Sequence, residues 1–420
     1  MSEHDDETTR RQRRRTMPAA GPAFPLHGDD VLGEIFLRLG PLKPSLLRAS
    51  HVCKQWRSVV SDPGFLRRFR ARHRKPSLLG VFTQQHGKAL FRSVLDPPVI
   101  PSERFSLRGY GSWDLLGCRH GRVLIVNHTE GKAIVYDPVT GDQHRIAVPW
   151  EFRQNAVVAN INGAVLCTGT ADNKGHIHGA CRSSPFKIVL VRAYTAYSAK
   201  RNLTYHMAHA CVYSSKTRTW GKNVSAVLSC DCYISGHHSV FAGNALYWYL
   251  PGNILKFDMG MESLHVIKKL PVANDCYDTS HIIRSKDGGV GIALLSYPTF
   301  QVWDMKNFKK KNSCHGGTRW LPWKSISLEL GYGSGIIRTK QAILGFDEDE
   351  NAIFFRVGSN IFIVHLVSMK SKKLWRSYTT CKYHPYTCYY TAALETSADN
   401  ASATHGGDQK NTAQGGSVQI

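Results

Sequence analysis

Between about residues 77 and 395 the sequence is a succession of short β-branched and aromatic runs, each closed by turn residues. Several stretches share one design: a strand-like run, a second run ending in an aromatic, a polar turn, and a further strand. The clearest is GRVLIVNHTEGKAIVYDPVTGDQHRI, residues 121–146. In it Asp137-Pro138-Val139-Thr140-Gly141 puts proline where a turn needs a fixed φ and glycine where φ turns positive. Related copies pair KIVLVRAY with ACVYSSKTRTW, NALYWYL with NILKFDMGMESLHVI, GGVGIALLSY with FQVWDMKN, and NAIFFRVGSN with IFIVHLVSMKSKKLW. The corresponding residues are Tyr136, Tyr213, Phe257, Trp303 and His365, spaced by 77, 44, 46 and 62.

Two of those spacings fit one four-stranded propeller blade, and the longer ones imply inserted loops. The run Leu78–Val94 is a candidate start of a further blade. A β-propeller of six to eight degenerate blades is therefore expected. A pair of β-sandwiches is the alternative, because alternation alone does not separate the two.

Ahead of this region, PLHGDDVLGEIFLRLGPLKPSLLRASHVCKQWRSVV, residues 25–60, predicts two amphipathic helices around a proline-rich turn. Val31, Leu32, Ile35, Phe36 and Leu39 recur at helical spacing, with Asp29 and Asp30 placed to cap the start. Gly40 and Pro41 end that helix, and Pro44 with Ser45 opens the next, predicted to continue to Val60. A third short helix is expected with Asp62 as its N-cap and Pro63 at its first position. So few residues cannot bury this much apolar surface alone, which leaves part of it for another protein.

The order Pro-Leu, an acidic pair, Ile-x-x-x-Leu, a proline turn, Leu-Leu-Arg-Ala and Val-Cys-Lys-x-Trp-Arg resembles an F-box. Gly40 and His51 depart from the pattern, standing where proline and an aliphatic residue are usual. The resemblance implies docking onto a Skp-type adaptor and, through it, a cullin. Leu26, Leu32, Ile35, Leu39, Leu46, Leu47, Val52, Cys53 and Trp56 would then supply the contact face and its supporting core. Trp303-Asp304 is similar to WD repeats and Gly288-Gly289 to kelch repeats, but neither signature recurs. The strand-rich region instead resembles the degenerate, kelch-like propellers that follow the F-box in large plant families.

The expected fold is thus an α+β multidomain chain, a small all-α F-box followed by an all-β propeller. Its boundaries are a disordered basic tail (1–24), the F-box and basic connector (25–75), the propeller (77–395) and a disordered low-complexity tail (396–420). Arg67, Arg68, Arg70, Arg72, Arg74 and Lys75 make the connector basic and exposed in expectation, with Pro76 as its break.

The 420 residues are 42% hydrophobic, with no apolar run of the length a membrane helix needs and no signal-peptide core at the start. A nuclear or cytoplasmic protein, not a secreted one, is expected. Eleven scattered cysteines then read as free thiols, and the sequons at Asn127, Asn202, Asn223 and Asn400 as unmodified. Arg10–Arg15 is either a nuclear import signal or a solvated basic tail. The net charge of +23 admits an acidic partner, plain solubility or, as a minority reading, RNA.

Two segments interrupt the strand pattern, 168–186 and 305–321, both polar, glycine-bearing and basic or histidine-rich. As loops on a rigid scaffold they are the candidate target-binding segments, through His176, His178, Arg182, Lys309, Lys310 and Arg319. No metal or cofactor is expected. The pairs His176/His178, His206/His209 and Cys230/Cys232 lack the CxxC or HxxxH spacing of a zinc site. Gly331–Gly335 satisfies neither the nucleophile-elbow nor the dinucleotide pattern, and Asp347–Glu350 reads as a solvated turn. The function expected is a non-catalytic substrate receptor of a Skp–cullin–F-box ubiquitin ligase. The alternatives are an RNA-binding propeller and a propeller enzyme with polar groups converging in its channel.

Overall fold

A computed structural model of the chain describes residues 28–40, 45–95, 105, 107, 113–127, 129–153, 160–169, 178, 181, 184–198, 202–228, 236, 238–250, 253–268, 279–308, 317–328, 340–379 and 381–389. Both predicted terminal tails lie outside these residues.

Four helices come first: α1 (Asp29–Leu37), α2 (Ser45–Ser50), α3 (Lys54–Ser61) and α4 (Pro63–Arg72). Gly28, not an aspartate, caps α1; Asp29 and Asp30 lie in its first turn, where they favour the positive end of the helix dipole. The single helix predicted from Ser45 to Val60 is broken. Cys53 turns extended and caps α3, its sulfur accepting from the Trp56 amide at 3.5 Å. Arg57 donates to the Ser50 carbonyl that the break leaves behind, at 3.1 Å. Asp62 does cap α4, accepting from the Phe65 amide at 2.6 Å, with Pro63 following it.

The strands form six sheets. The first sheet holds β1 (Ser77–Gln85) and β2 (Lys88–Ser93), and the second β3 (Asp114–Arg119), β4 (Arg122–Asn127), β5 (Lys132–Tyr136) and β6 (Gln143–Ala147). The third holds β7 (Asn160–Cys167), β8 (Phe186–Ser198), β9 (Leu203–Ser214), β10 (Thr219–Trp220) and β11 (Val224–Leu228). The fourth is β12 (Val240–Ala242), β13 (Ala245–Leu250), β14 (Asn253–Asp258) and β15 (Ser263–Lys268). The fifth is β16 (Ser280–Arg284), β17 (Val290–Ser296), β18 (Thr299–Phe308) and β19 (Gly317–Ser327). The sixth is β20 (Gln341–Asp347), β21 (Ala352–Val357), β22 (Asn360–His365) and β23 (Ser371–Arg376). The last strand, β24 (Tyr383–Cys388), returns to pair with β1 and completes the first sheet.

Apolar clusters fill each gap between neighbouring sheets, from the first to the second and onward until the sixth meets the first. The ring is closed, and the fold is a six-bladed propeller rather than a pair of sandwiches. Side chains alternate across a strand, so each middle strand serves two neighbours. In β4, Val123 and Ile125 face the first blade while Leu124 and Val126 face the third. Both faces are buried, which is why the sequence shows unbroken apolar runs there.

The five corresponding residues of the sequence pattern all fall on third strands: Tyr136 on β5, Tyr213 on β9, Phe257 on β14, Trp303 on β18 and His365 on β22. The Asp137 carboxylate accepts from the Val139 amide at 2.9 Å, and Asp258 accepts from Gly260 at 3.0 Å in the matching turn of the fourth blade. The segment 305–321 is not all loop. Met305 pairs with Trp320 and Lys306 with Arg319, extending β18 and β19 as one long hairpin. Three tryptophans and a methionine of this hairpin, Trp303, Trp320, Trp323 and Met305, pack against the core, which holds the ladder beyond the point where polar residues begin.

The helices rest on the propeller's closing strand. Tyr389, just past β24, belongs to the helical core, and its hydroxyl donates to the His73 carbonyl. Of the connector predicted as exposed, Arg74 and Lys75 are exposed but Pro76 is buried.

Candidate functional site

The helical unit divides the residues proposed from sequence into two groups. Leu32 and Leu46 are 1% and 5% exposed and belong to its core, with Phe36, Leu37, Ala49, Val59, Val60, Phe65, Leu66 and Phe69. Trp56 and Leu39 pack against that core, Trp56 edge-on to Phe36 at 5.0 Å. Val31, Ile35 and Val52 remain 48%, 37% and 61% exposed, and Cys53 is exposed beside them in sequence. Leu47 lies on α2 with its side chain outside the described set, and Leu26 lies outside the described residues.

The second region is a cavity of about 600 Å³ at one mouth of the propeller channel. Its lining comes from the ends of first strands and from the first and third turns of the blades. These include His120, Cys167, His178, Lys216, Phe241, Arg284 and Asp347–Asp349. First and third strands of an antiparallel blade run the same way, so the β7–β8 and β18–β19 connections leave from this same face.

Glu348 is the electrostatic centre of the mouth. Its carboxylate accepts from Arg119 at 2.5 and 3.2 Å and from the Phe241 amide at 2.8 Å, while Arg284 donates to its carbonyl at 2.8 Å. Arg119 also donates to the Ser239 carbonyl at 2.9 Å. One residue thus joins the second, fourth, fifth and sixth blades. Burial by itself would raise its pKa; the Arg119 charge and hydrogen bond outweigh that and hold it below the usual value. Asp347 is 2% exposed, and burial pushes its carboxyl well above the usual range, as it raises Asp349, which accepts from Thr387 at 2.6 Å. The acidic run is therefore not the solvated turn the sequence suggested. It is folded inward, because two arginines of other blades and the Thr387 hydroxyl meet it there.

Below the mouth lie His238, His281 and His384, with His238 ring centroids 5.6 Å from His281 and 5.7 Å from His384. His238 Nε2 is 2.7 Å from the Phe346 carbonyl, so it carries the proton. Polar groups do converge in the channel, though most are already engaged with one another.

Of the target-binding residues proposed from sequence, His178 is exposed and lines the cavity. Arg319 is exposed on β19, opposite Lys306 in the ladder. His176, Arg182, Lys309 and Lys310 lie outside the described residues, as do Cys230, Cys232 and Gly331–Gly335. Sequence reasoning did not single out Arg119 or Arg284, which carry no local motif, and it read Glu348 as part of a solvated turn. His178 was proposed for target binding and weighed as a metal ligand only with His176; Cys167 and Cys181, which the fold brings beside it, were not named, though the His178-x-x-Cys181 spacing was an available signal.

A family model described as F-box-like matches residues 29–72, which are α1 through α4. Residues 29–72 are an F-box-like domain. In sequence, an F-box protein of Arabidopsis thaliana is 24% identical over 259 residues, covering 57% of this chain and 56% of that protein. The chain therefore spans little more than half the length of that relative. A chain of a mitotic checkpoint complex matches in structure at a TM-score of 0.30 and 9% identity, over 61% of each chain. A PQQ-bound aldose sugar dehydrogenase from Streptomyces coelicolor matches at 0.33 and 10%, over 63% of this chain and 81% of that one. At these scores the six-blade assignment rests on the strand pairing. The F-box of this chain is joined directly to that propeller, with three residues between His73 and Ser77 and Tyr389 as the clasp.

Proposed function

We propose that this protein is the substrate receptor of a Skp–cullin–F-box ubiquitin ligase. Its F-box docks a Skp-type adaptor and through it a cullin, and its propeller holds the target. The observation that carries this reading is the F-box-like domain itself, in which Val31, Ile35 and Val52 stay in solvent while ten neighbouring apolar side chains close into a core. Apolar side chains left outside a completed core suit a partner's groove.

The cavity face is the side of the propeller on which the target binds. His178 and Lys216 border it, and the basic segments 168–186 and 305–321 leave from it, which favours an acidic target, a phosphorylated one included. The mechanism is proximity: holding target lysines beside a charged ubiquitin carrier raises their effective concentration. The receptor supplies no acid, base or nucleophile, and works in the nucleus, the cytoplasm or both.

The test is a double variant, Ile35→Asp with Val52→Asp. Both side chains are well exposed, so the variant should melt with the wild type. Loss of two apolar anchors, each of about 2 kcal/mol, should weaken adaptor capture by at least about thirtyfold. Wild-type affinity in the double variant would remove the assignment. Leu46→Ala is no substitute, since Leu46 is core and its loss tests folding.

A further inference from the structure

We propose that Cys167, His178 and Cys181 bind a zinc ion that clasps the β7–β8 connection at the rim of the cavity. This inference does not depend on the ligase reading. Cys167 ends the innermost strand of the third blade, and His178 and Cys181 lie on the segment leading to β8. One ligand atom from each, two sulfurs and an imidazole nitrogen, lies within 4.8 Å of the others. Cys181 Sγ and His178 Nδ1 are 3.6 Å apart. Tetrahedral zinc, with bonds of about 2.3 Å to sulfur and about 2.05 Å to nitrogen, requires a sulfur–nitrogen edge of about 3.6 Å. The pair is already at that edge, so an ion enters with small side-chain movements.

The surroundings suit a metal better than an inert thiol pair. Soft sulfur with imidazole selects zinc over magnesium or calcium. Cys181 is buried, and the Arg122 guanidinium donates to the Cys181 carbonyl and, at 2.6 Å, to the Ser184 carbonyl. That cation fixes the backbone that carries Cys181. His120 stacks on His178 with ring centroids 3.9 Å apart. Its Nδ1 accepts from the Cys167 amide at 3.1 Å, so His120 holds both a ligand ring and a ligand backbone in place. Cys167 and His178 also line the cavity, which leaves the fourth coordination position to water or to a donor brought in from the cavity side.

Binding displaces one proton from each cysteine, giving a neutral two-thiolate zinc unit with no change of oxidation state. Because Cys167 and Cys181 bracket residues 168–180, the ion would tie together the two ends of a segment proposed to contact the target.

The experiment uses the full chain, purified without chelator from zinc-supplemented cells, with metal content read by plasma mass spectrometry. About one zinc per chain is expected. Exchange for cobalt(II) should give the intense near-ultraviolet absorption of thiolate ligation. Cys167→Ser with Cys181→Ser should lose both signals. His178→Ala, a change at an exposed side chain that should not disturb folding, should weaken zinc retention against a competing chelator by tenfold or more. The wild-type measurements decide the matter even if the double variant misfolds. A wild-type chain that takes up no zinc and shows no thiolate–cobalt absorption overturns the proposal, as does a Cys167–Cys181 disulfide in the metal-free protein. Zinc retained undiminished in a folded double variant overturns it equally.

Discussion

His238, His281 and His384 come from the fourth, fifth and first blades and meet in the buried channel. Burial is the main cause that drives their pKa values down, to about 3, about 3 and about 4, and each is also lowered by a neighbouring histidine. They are neutral in the folded protein at pH 7, whereas the unfolded chain takes up their protons near pH 6.5. Stability is therefore complete above about pH 6.5 and is lost as pH falls toward the folded values, by at most about 1.4 kcal/mol per pH unit for each histidine. Glu348, whose folded pKa is depressed, adds to the loss at lower pH, as that carboxylate is protonated. Asp347 and Asp349, raised by burial, act the other way. Urea denaturation between pH 7 and 4 should show a falling stability in the wild type. In His384→Gln the slope should be shallower by close to one proton; an unchanged slope would show that His384 is already solvated. None of this was legible in the sequence, where the three histidines have no shared spacing and their burial follows from ring closure alone.

At the scale of elements, more could be read. The third-strand residues, the Asp-capped turns and the Asp62–Pro63 helix start are local, and local chemistry fixed them. Two expectations failed for different reasons. The predicted helix over residues 45–60 is broken because Cys53 and Arg57 satisfy backbone groups at the break, an option that periodicity does not register. The acidic run folds inward because its partners come from other blades. The glycine after each aliphatic pair in Leu78-Leu79-Gly80, Leu115-Leu116-Gly117 and Ile343-Leu344-Gly345 follows a register shift, a bulge that bends the strand. In β20 a Cβ on Gly345 would stand 2.2 Å from the Tyr383 carbonyl oxygen of β24. That atom is backbone and cannot rotate away, so the innermost strands would have to part. Gly345→Ala should cost about 1–3 kcal/mol, read as a lower urea midpoint with an unchanged m-value. A melt equal to that of the wild type would mean that the strands tolerate the separation.

The whole molecule is closed by its own end. A ring of six sheets is held shut when one sheet joins strands from distant parts of the chain. Here β24 supplies the innermost strand of the first blade, pairing along β1 from Ser77 to Thr83. Tyr386 is fully buried and lies edge-on to Phe82 at 5.5 Å and to Phe105 at 5.8 Å. Its hydroxyl donates to the Gly121 carbonyl at 3.2 Å, and Tyr383 belongs to the cluster between the sixth and first blades. One residue past the end of β24, Tyr389 enters the helical core. The same short segment therefore closes the propeller and holds the F-box against it. A chain ending at Thr379 would expose the inner edge of β1 and open two apolar clusters at once, whereas one ending at residue 392 keeps every contact named here. The shorter chain should fail to give a cooperative melt and should aggregate, and the longer one should melt with the full-length protein. Tyr389→Ala in the full-length chain should leave the propeller's melt in place and make the helical unit susceptible to trypsin at Arg67–Lys75. If the chain ending at Thr379 folds with a normal melt, the ring is not closed by β24 and the F-box has no clasp.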